Sequence, residues 1–358
     1  MLNDSATQFR SGGDSLGLHR VRSPAGLLPQ AADILDNSLP PYASEAWLSV
    51  DVLNIDSASF VQLEQVLAHG GPPIAAQIEA IVGARGKMQN PVTGSGGMLL
   101  GRLRALGPQY CGPLHGLPTD TVVATLVSLT LTPLWLQCIT QVVPHAHQVH
   151  VRGHALLPSS APVAVVPTDF AQPLALAILD VCGAPALVQR WAQRLPIGGD
   201  LVVLGAGKAG ALSLAAARIC RPDLRLWAID RSTLAVRQVH AAGLCDGYAA
   251  LDAADAVAVR GQVHQWTAGR GADAVVNMAS VAGTEMATIL ACKSRGLCVF
   301  FGMATAFSRV ALGAEGVGAD VDLLIGNGYA HGHAEFALEL VRQMPAVRAL
   351  LQLRLAGS

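Results

Sequence analysis

The stretch LVVLGAGKAGALSLAAARI (201–219), followed by LRLWAID (224–230), constrains the fold of this chain more than any other feature. An apolar run of β character ends at Leu204, glycines fall at Gly205, Gly207 and Gly210, an Ala/Leu pattern of helical spacing follows, and Asp230 closes the next apolar run. Each glycine has its own task in a strand–turn–helix unit that binds a dinucleotide. Gly205 permits the tight turn, Gly207 leaves the backbone open to a pyrophosphate, and Gly210 lets the helix pack on the strand; Lys208 and Ala209 complete the cofactor-binding turn. The diphosphate then sits at a helix N-terminus, where unpaired N–H groups and the helix dipole favour an anion. Asp230, 20 residues beyond Gly210, is placed to accept the ribose hydroxyls and to repel a 2′-phosphate, so NAD is expected over NADP. Arg231 beside it is of a type that receives such a phosphate.

At 358 residues the chain has room for two domains, one for the cofactor and one for something else. A net charge of -1 speaks against nucleic-acid and membrane-surface partners. Hydrophobic content of 51% with 14% charged residues implies deep burial and suits an oligomer interface. The cysteines stand singly, without paired spacings, which reads as a reduced, cytoplasmic protein. Residues 1–16 are polar without an apolar core segment and read as a disordered lead-in rather than a secretory signal. Residues 121–151 contain no Asp, Glu, Lys or Arg, but Pro133, Pro144 and the β-branched residues suit buried strands better than a membrane span.

Residues 17–170 read as a mostly β substrate domain, with short β-branched runs at 46–55, 122–131 and 161–167 and a helical spacing over 60–84. From 171 to 345 helix and strand alternate, the pattern of a Rossmann doubly wound parallel sheet, so the fold class is α/β. One long helix is expected over 173–195, strands at 201–204, 224–229, 272–278, 296–303 and 321–327, and a last helix at 334–344; residues 346–358 read as a tail. Ligands of open parallel sheets bind beyond the carboxyl ends of the strands, which places Asn277, Met278, Gly302 and Met303 on the nicotinamide side.

A β-rich domain followed by this glycine unit resembles the medium-chain dehydrogenase/reductase superfamily. That superfamily commonly holds a catalytic zinc through a Cys, a Gly-His-Glu and a Cys-Gly. Here the segment PVTGSGGMLLG (91–101) has no His or Glu, LNIDSASF (53–60) has no Cys, and only Cys182-Gly183 survives, so no catalytic metal is expected. His145, His147, His150 and His154 form the densest set of possible metal ligands and read as a solvated strand face. Within the superfamily, LNIDSASF, RGKMQNPVTGSGGMLLG (85–101), LVSLTLTPL (126–134), ALAILDVCGAPA (175–186) and NGYAHGHAEFALELV (327–341) closely resemble the L-erythro-3,5-diaminohexanoate dehydrogenase family of bacterial lysine fermentation. The resemblance runs from about 17 to 344. It implies NAD-dependent oxidative deamination of a small diamino acid at C3, giving 5-amino-3-oxohexanoate, ammonia and NADH. Likeness to the superfamily further implies a homodimer built through the cofactor domain.

Such a reaction needs a base for the C3 ammonium, an acid to hold the C5 ammonium and a cation for the carboxylate. Among the charged residues of the family-like segments, Lys87 suits the base or the carboxylate anchor, and Asp56 the ammonium anchor or water activator. Asn54, Ser57 and Thr93 are of types that orient substrate or the nicotinamide amide. Asp180 either faces the cleft or caps a helix, and His331, His333 and Glu335 read as capping the last helix. Two other readings compete. A zinc-free quinone or enoyl reductase of the same superfamily needs only an apolar slot, and a non-catalytic nucleotide-binding protein needs no charged anchors at all.

Overall fold

Period-two burial along the run at 46–55 makes it the middle of a sheet, because alternate side chains enter the core and both edges find partners. In the computed structural model, which describes residues 8–126, 128–302 and 304–356, this strand is β3 (Glu45–Asn54). It follows the antiparallel pair β1 (Val21–Ser23) and β2 (Ile34–Leu35). The helical spacing at 60–84 resolves into α1 (Ser57–Ala68) and α2 (Ile74–Arg85), interrupted at 69–73 by Gly70, Gly71, Pro72 and Pro73. Strands β4 (Met98–Leu106), β5 (Val122–Thr125), β6 (Leu134–Val143), β7 (Gln148–Pro158) and β8 (Val163–Val165) complete an antiparallel sheet of order β6-β7-β3-β4-β5-β8. Leu48, Val50 and Leu53 of β3 pack with Phe60, Leu63, Ile78 and Leu99 in its core.

The strand expected over 122–131 stops at Thr125. Ser128 turns the chain into a single 3-10 turn at Leu129–Leu131 by accepting the Thr130 N–H, and the Thr125 hydroxyl takes the Leu99 N–H. A register shift between Val50 and Val52, against both neighbours, marks a bulge at the centre of β3. Beyond it, Asn54 stands level with Met98 and with Gln148, one row at the end of the sheet.

Two compact units divide after Leu176, inside α3 (Gln172–Leu179). This helix and α4 (Gly183–Ala192) replace the single long helix expected. The break has a non-local cause: a Cβ on Gly183 would lie 1.8 Å from the Gly328 carbonyl oxygen, so that backbone approach fixes where α4 starts. Then come β9 (Asp200–Leu204), α5 (Lys208–Cys220), β10 (Arg225–Asp230), α6 (Thr233–Ala241), β11 (Gly247–Ala250), α7 (Ala256–Trp266), β12 (Ala272–Asn277), α8 (Glu285–Ala291), β13 (Cys292–Phe300), α9 (Phe307–Gly316), β14 (Asp322–Ile325) and α10 (His333–Gln343). All pairs in the sheet β11-β10-β9-β12-β13-β14 are parallel. The order reverses between β9 and β12, the switch point at which doubly wound sheets bind nucleotides. No single helix among the described residues is long and apolar enough to cross a membrane.

Both ends of the chain differ from the sequence reading. Residues 1–7 of the supposed lead-in lie outside the described residues. Arg10, however, exchanges backbone hydrogen bonds with Pro41 and Ala43 and pairs with Asp36 at 3.2 Å, so this part belongs to the first unit. The supposed tail is a helix, α11 (Pro345–Ala356), with Val347, Leu350 and Leu351 buried at i, i+3 and i+4.

A buried ion pair locks the start of β3. Arg20 and Glu45 are each 1% exposed and meet through two hydrogen bonds of 2.8 and 2.6 Å; His19 and the Tyr42 N–H supply the carboxylate's remaining contacts at 2.7 Å. Burial alone would raise the Glu45 pKa, but the Arg20 and His19 hydrogen bonds outweigh it and hold the group at about 2, against 4.5 when free. Its contribution to stability is therefore complete above pH 4.5 and is lost as pH falls towards 2. Glu45→Gln leaves buried Arg20 with only the more distant Asp36, at 3.5 Å, as counter-charge and is expected to cost about 3 kcal/mol in urea unfolding. The loss should shrink below pH 4; a variant as stable as the parent at pH 7 contradicts the role assigned to the pair.

Candidate functional site

Beyond the last buried residue of β9, Gly205 turns the chain with φ +98, and its N–H donates to Ile229 at 2.7 Å. A side chain at Gly210 would put Cβ 1.9 Å from the Gly205 carbonyl oxygen, so α5 rests directly on the turn. Gly207 is different: nothing lies within 4 Å of where its Cβ would be, and no side chain caps α5 there. The open face and the uncapped first N–H groups of α5, those of Lys208, Ala209 and Gly210, form the cradle a pyrophosphate fits.

Asp230 ends β10 with one carboxylate oxygen on the Ala206 N–H and the other on the Ser232 N–H, both at 2.8 Å. Each oxygen keeps a lone pair, so the fixed carboxylate can still accept a vicinal diol. Arg231 is exposed. Arg354 of α11, which the sequence reading left in the tail, bonds Gln238 at 3.0 Å; burial lowers its pKa and the charge of Asp230 acts in the opposite sense. Lys208 is turned onto Asp180, at 2.9 Å, so Asp180 is an ion-pair partner in the corner between α3 and α4.

At the far strands the expected contacts are redistributed. Asn277 is fully buried, with its amide nitrogen on the hydroxyls of Thr284 and Thr288, each at 2.9 Å, and its oxygen on the Ala279 N–H at 3.0 Å. It shapes the turn after β12, with both amide protons engaged inside the protein. Met278 donates its N–H to Leu204, and its backbone lines Gly205. Gly302 lies where a Cβ would be 2.4 Å from the Ala279 carbonyl oxygen. Met303 lies outside the described residues. The buried Glu285 carboxylate accepts the Ala306 N–H at 2.9 Å and so ties the segment after β13 to α8. No periodicity or motif marks that residue in the sequence.

In the first unit, four of the five expected substrate-side residues fall around one corner. Asp56 caps α1, with Oδ1 accepting the Ser59 N–H at 2.9 Å, while its buried Oδ2 has no hydrogen-bond partner among the described residues. Ser59 and Thr93 share a 2.6 Å hydroxyl hydrogen bond, and Asn54 accepts from Gln148 at 3.3 Å. Ser57 is exposed on the first turn of α1. Gly97, with φ +94, permits the corner, since a Cβ would meet the Asn54 carbonyl oxygen at 2.0 Å.

Lys87 does not join them. It is fully buried, and its ammonium donates to the carbonyls of Pro29 at 2.8 Å and Gln30 at 3.2 Å. Burial first, and the charge of Arg85 second, bring its pKa down to about 8 against the pull of Asp33. A base or carboxylate anchor needs access to its ligand; this amine is an internal tie across the 29–30 segment.

The histidine set is not one solvated strand face. Only His150 and His154 lie in β7, and His154 bonds the Asn37 carbonyl oxygen at 2.9 Å and stacks on Trp135. Among the described residues no three His, Cys, Asp or Glu side chains gather as metal donors. Nor does α10 receive a side-chain cap: Gly332 occupies the cap position, and His333 is buried with its ring edge-on to Tyr329.

A family profile described as the L-erythro-3,5-diaminohexanoate dehydrogenase N-terminal domain matches residues 19–167. The chain is 41% identical over 342 residues, 95% of its length and 98% of the relative's, to the L-erythro-3,5-diaminohexanoate dehydrogenase of Acetoanaerobium sticklandii. With the same-named protein of Fusobacterium nucleatum it shares 39% identity over 339 residues, 94% and 97% of the two chains. Solved structures with a similar fold include a mycobacterial protein in complex with NADPH (TM-score 0.54, 16% identity, covering 88% and 90%) and an alcohol dehydrogenase from Thermotoga maritima (TM-score 0.53, 13% identity, covering 88% and 85%).

Open space around Gly207 makes one substitution diagnostic. Gly207→Val should leave the thermal melt of the free protein close to the parent's, because nothing lies within 4 Å of the new Cβ, while weakening NAD binding by about tenfold or more, or ~1.4 kcal/mol, in a titration. Undiminished NAD affinity contradicts the cradle.

Proposed function

The chain belongs to the L-erythro-3,5-diaminohexanoate dehydrogenase family, and from that membership we infer an NAD-dependent oxidative deaminase that converts L-erythro-3,5-diaminohexanoate and water to 5-amino-3-oxohexanoate, ammonia and NADH. It is an oxidoreductase acting on a CH–NH2 group in lysine fermentation. Identity of 41% along 95% of the chain is the observation that carries the reading.

When bound, NAD would supply the oxidant for C3. Its adenosine half would be held by the α5 N-terminus at Gly207, Lys208 and Ala209 and by Asp230, whose geometry suits two ribose hydroxyls rather than a phosphate. Asp56 receives the C5 ammonium: a carboxylate oxygen already buried and without a partner gains most from a cation. Thr93, Asn54 and Ser57 lie in the same corner and orient the substrate. Metal-free chemistry suits this chain, because Cys182-Gly183 alone remains of the superfamily's zinc pattern and burial raises that thiol's pKa to about 12. The subunits pair through the cofactor unit, where edge strand β14 exposes Leu323 and Ile325. A cytoplasmic setting agrees with the free cysteines.

Purified protein incubated with NAD and 3,5-diaminohexanoate should produce NADH absorbance, and simple alcohols or quinones should not react; turnover of enones with NADPH alone defeats the assignment. In Asp230→Ala the KM for NAD should rise by about tenfold, with the preference over NADP narrowing to match, since a hydrogen bond to a charged group contributes about 1.5 kcal/mol or more. An unchanged NAD/NADP ratio removes the ribose contact.

A further inference from the structure

The loops that follow β12 and β13 are bound to each other, and every contact between them lies in the second unit. Phe301 donates its N–H to the Asn277 carbonyl oxygen at 2.9 Å, and Ala279 donates to the Asn277 side chain at 3.0 Å. A Cβ on Gly302 would lie 2.4 Å from the Ala279 carbonyl oxygen, so backbone meets backbone. Thr305 donates its N–H back to Gly302 at 3.1 Å. A doubly wound sheet holds a dinucleotide across its switch point, one half to each side, so with the adenosine half at β9 and β10 the nicotinamide half falls to β12 and β13.

One buried acid secures the far end of these loops. Glu285 is 1% exposed in the first turn of α8, directly after Thr284, whose hydroxyl accepts from Asn277 at 2.9 Å. One of its carboxylate oxygens accepts the Ala306 N–H at 2.9 Å, and α9 starts from Ala306. Alanine has no side chain with which to cap that helix, so a carboxylate from α8 meets its end instead, where the helix dipole favours negative charge. The other oxygen has no hydrogen-bond partner among the described residues, and the Arg309 guanidinium stands 3.7 Å away. Burial pushes the carboxyl pKa up, but the Ala306 N–H, its own N–H and the charge of Arg309 outweigh this and hold it below the ordinary value. An apolar residue would fill this place at lower desolvation cost. It could not fix the position of Ala306.

We propose that Glu285 is a positioning residue for the nicotinamide half of the cofactor: it holds the loops after β12 and β13 in one arrangement, and its loss weakens the grip on the nicotinamide but not on the adenosine half. The proposal rests on the NAD chemistry inferred above. Asp230 is held by Ala206 and Ser232, and the first turn of α5 by Gly205, so the adenosine half keeps its own supports when Glu285 is removed.

NAD and ADP-ribose share the adenosine diphosphate and differ in the nicotinamide, so titrating the whole protein with each separates the two halves. Glu285→Ala should bind NAD about tenfold more weakly while its affinity for ADP-ribose stays within about twofold of the parent's. In the cofactor-free variant, hydrogen exchange should quicken in peptides that contain Ala306. Ala306→Pro removes the same hydrogen bond from its donor side, at a helix start where proline is tolerated, and should show the same selective loss even if the alanine variant fails to fold. A purely structural role would lower both affinities together. Equal losses for NAD and ADP-ribose, NAD affinity within about twofold of the parent's, or unaltered exchange around Ala306 overturns the proposal. If the parent itself binds neither ligand, the cofactor reading fails instead.

Discussion

Backbone packed directly on backbone at the end of β9 is the constraint from which the cofactor half follows. Gly210 sits on the Gly205 carbonyl so closely that a single methyl group would overlap it, and this fixes the direction in which the first turn of α5 points. The Asp230 grip on the Ala206 N–H then holds the middle of the turn. Neither contact involves a long side chain, so the orientation of the uncapped helix N-terminus carries little rotamer entropy. A cradle of main-chain donors can be rigid and still leave Gly207 open.

Around this cradle, side chains of types associated with ligand binding are occupied in holding loops. Asn277 orders the turn after β12, Glu285 draws in Ala306, and Lys208 meets Asp180. Side-chain hydrogen bonds of this kind make one loop conformation cheaper than its alternatives. The rim is therefore fixed by hydrogen bonds within the chain, and the groups with hydrogen-bonding capacity to spare beside the turn are the first backbone N–H donors of α5 and the Asp230 carboxylate.

This division explains what could be read from the sequence. The glycine unit and five of the six parallel strands announce themselves because their cause is local: spacing, apolar runs and the residue that ends each run; β11, with the short sequence GYAA, carries no such run. The break between α3 and α4 did not announce itself, since it depends on Gly183 meeting Gly328, far away in sequence. Lys87 misled for the same reason, because only the fold reveals that Pro29 and Gln30 close over its ammonium. Residue type placed Asn277 at the correct strand end but could not show that Thr284 and Thr288 would engage its amide. The final helix was missed because a short amphipathic stretch at a chain end looks like a tail until its apolar positions find a surface.

Two carboxylates of the first unit show how burial leaves one acid fully satisfied and another only half so. Glu45 loses its hydration and recovers all of it, with Arg20, His19 and the Tyr42 N–H surrounding both oxygens. Nothing remains for it to bind. Asp56 recovers half: Oδ1 takes the Ser59 N–H at the start of α1, where the helix dipole favours negative charge, and Oδ2 stays buried without a partner. An unsatisfied buried acceptor costs the fold about 1–3 kcal/mol, more when charged. A cationic group arriving there removes a cost already present in the free protein, so its binding is favoured by more than the new contact alone. A neutral group of equal size would leave that charge uncompensated and gain nothing comparable.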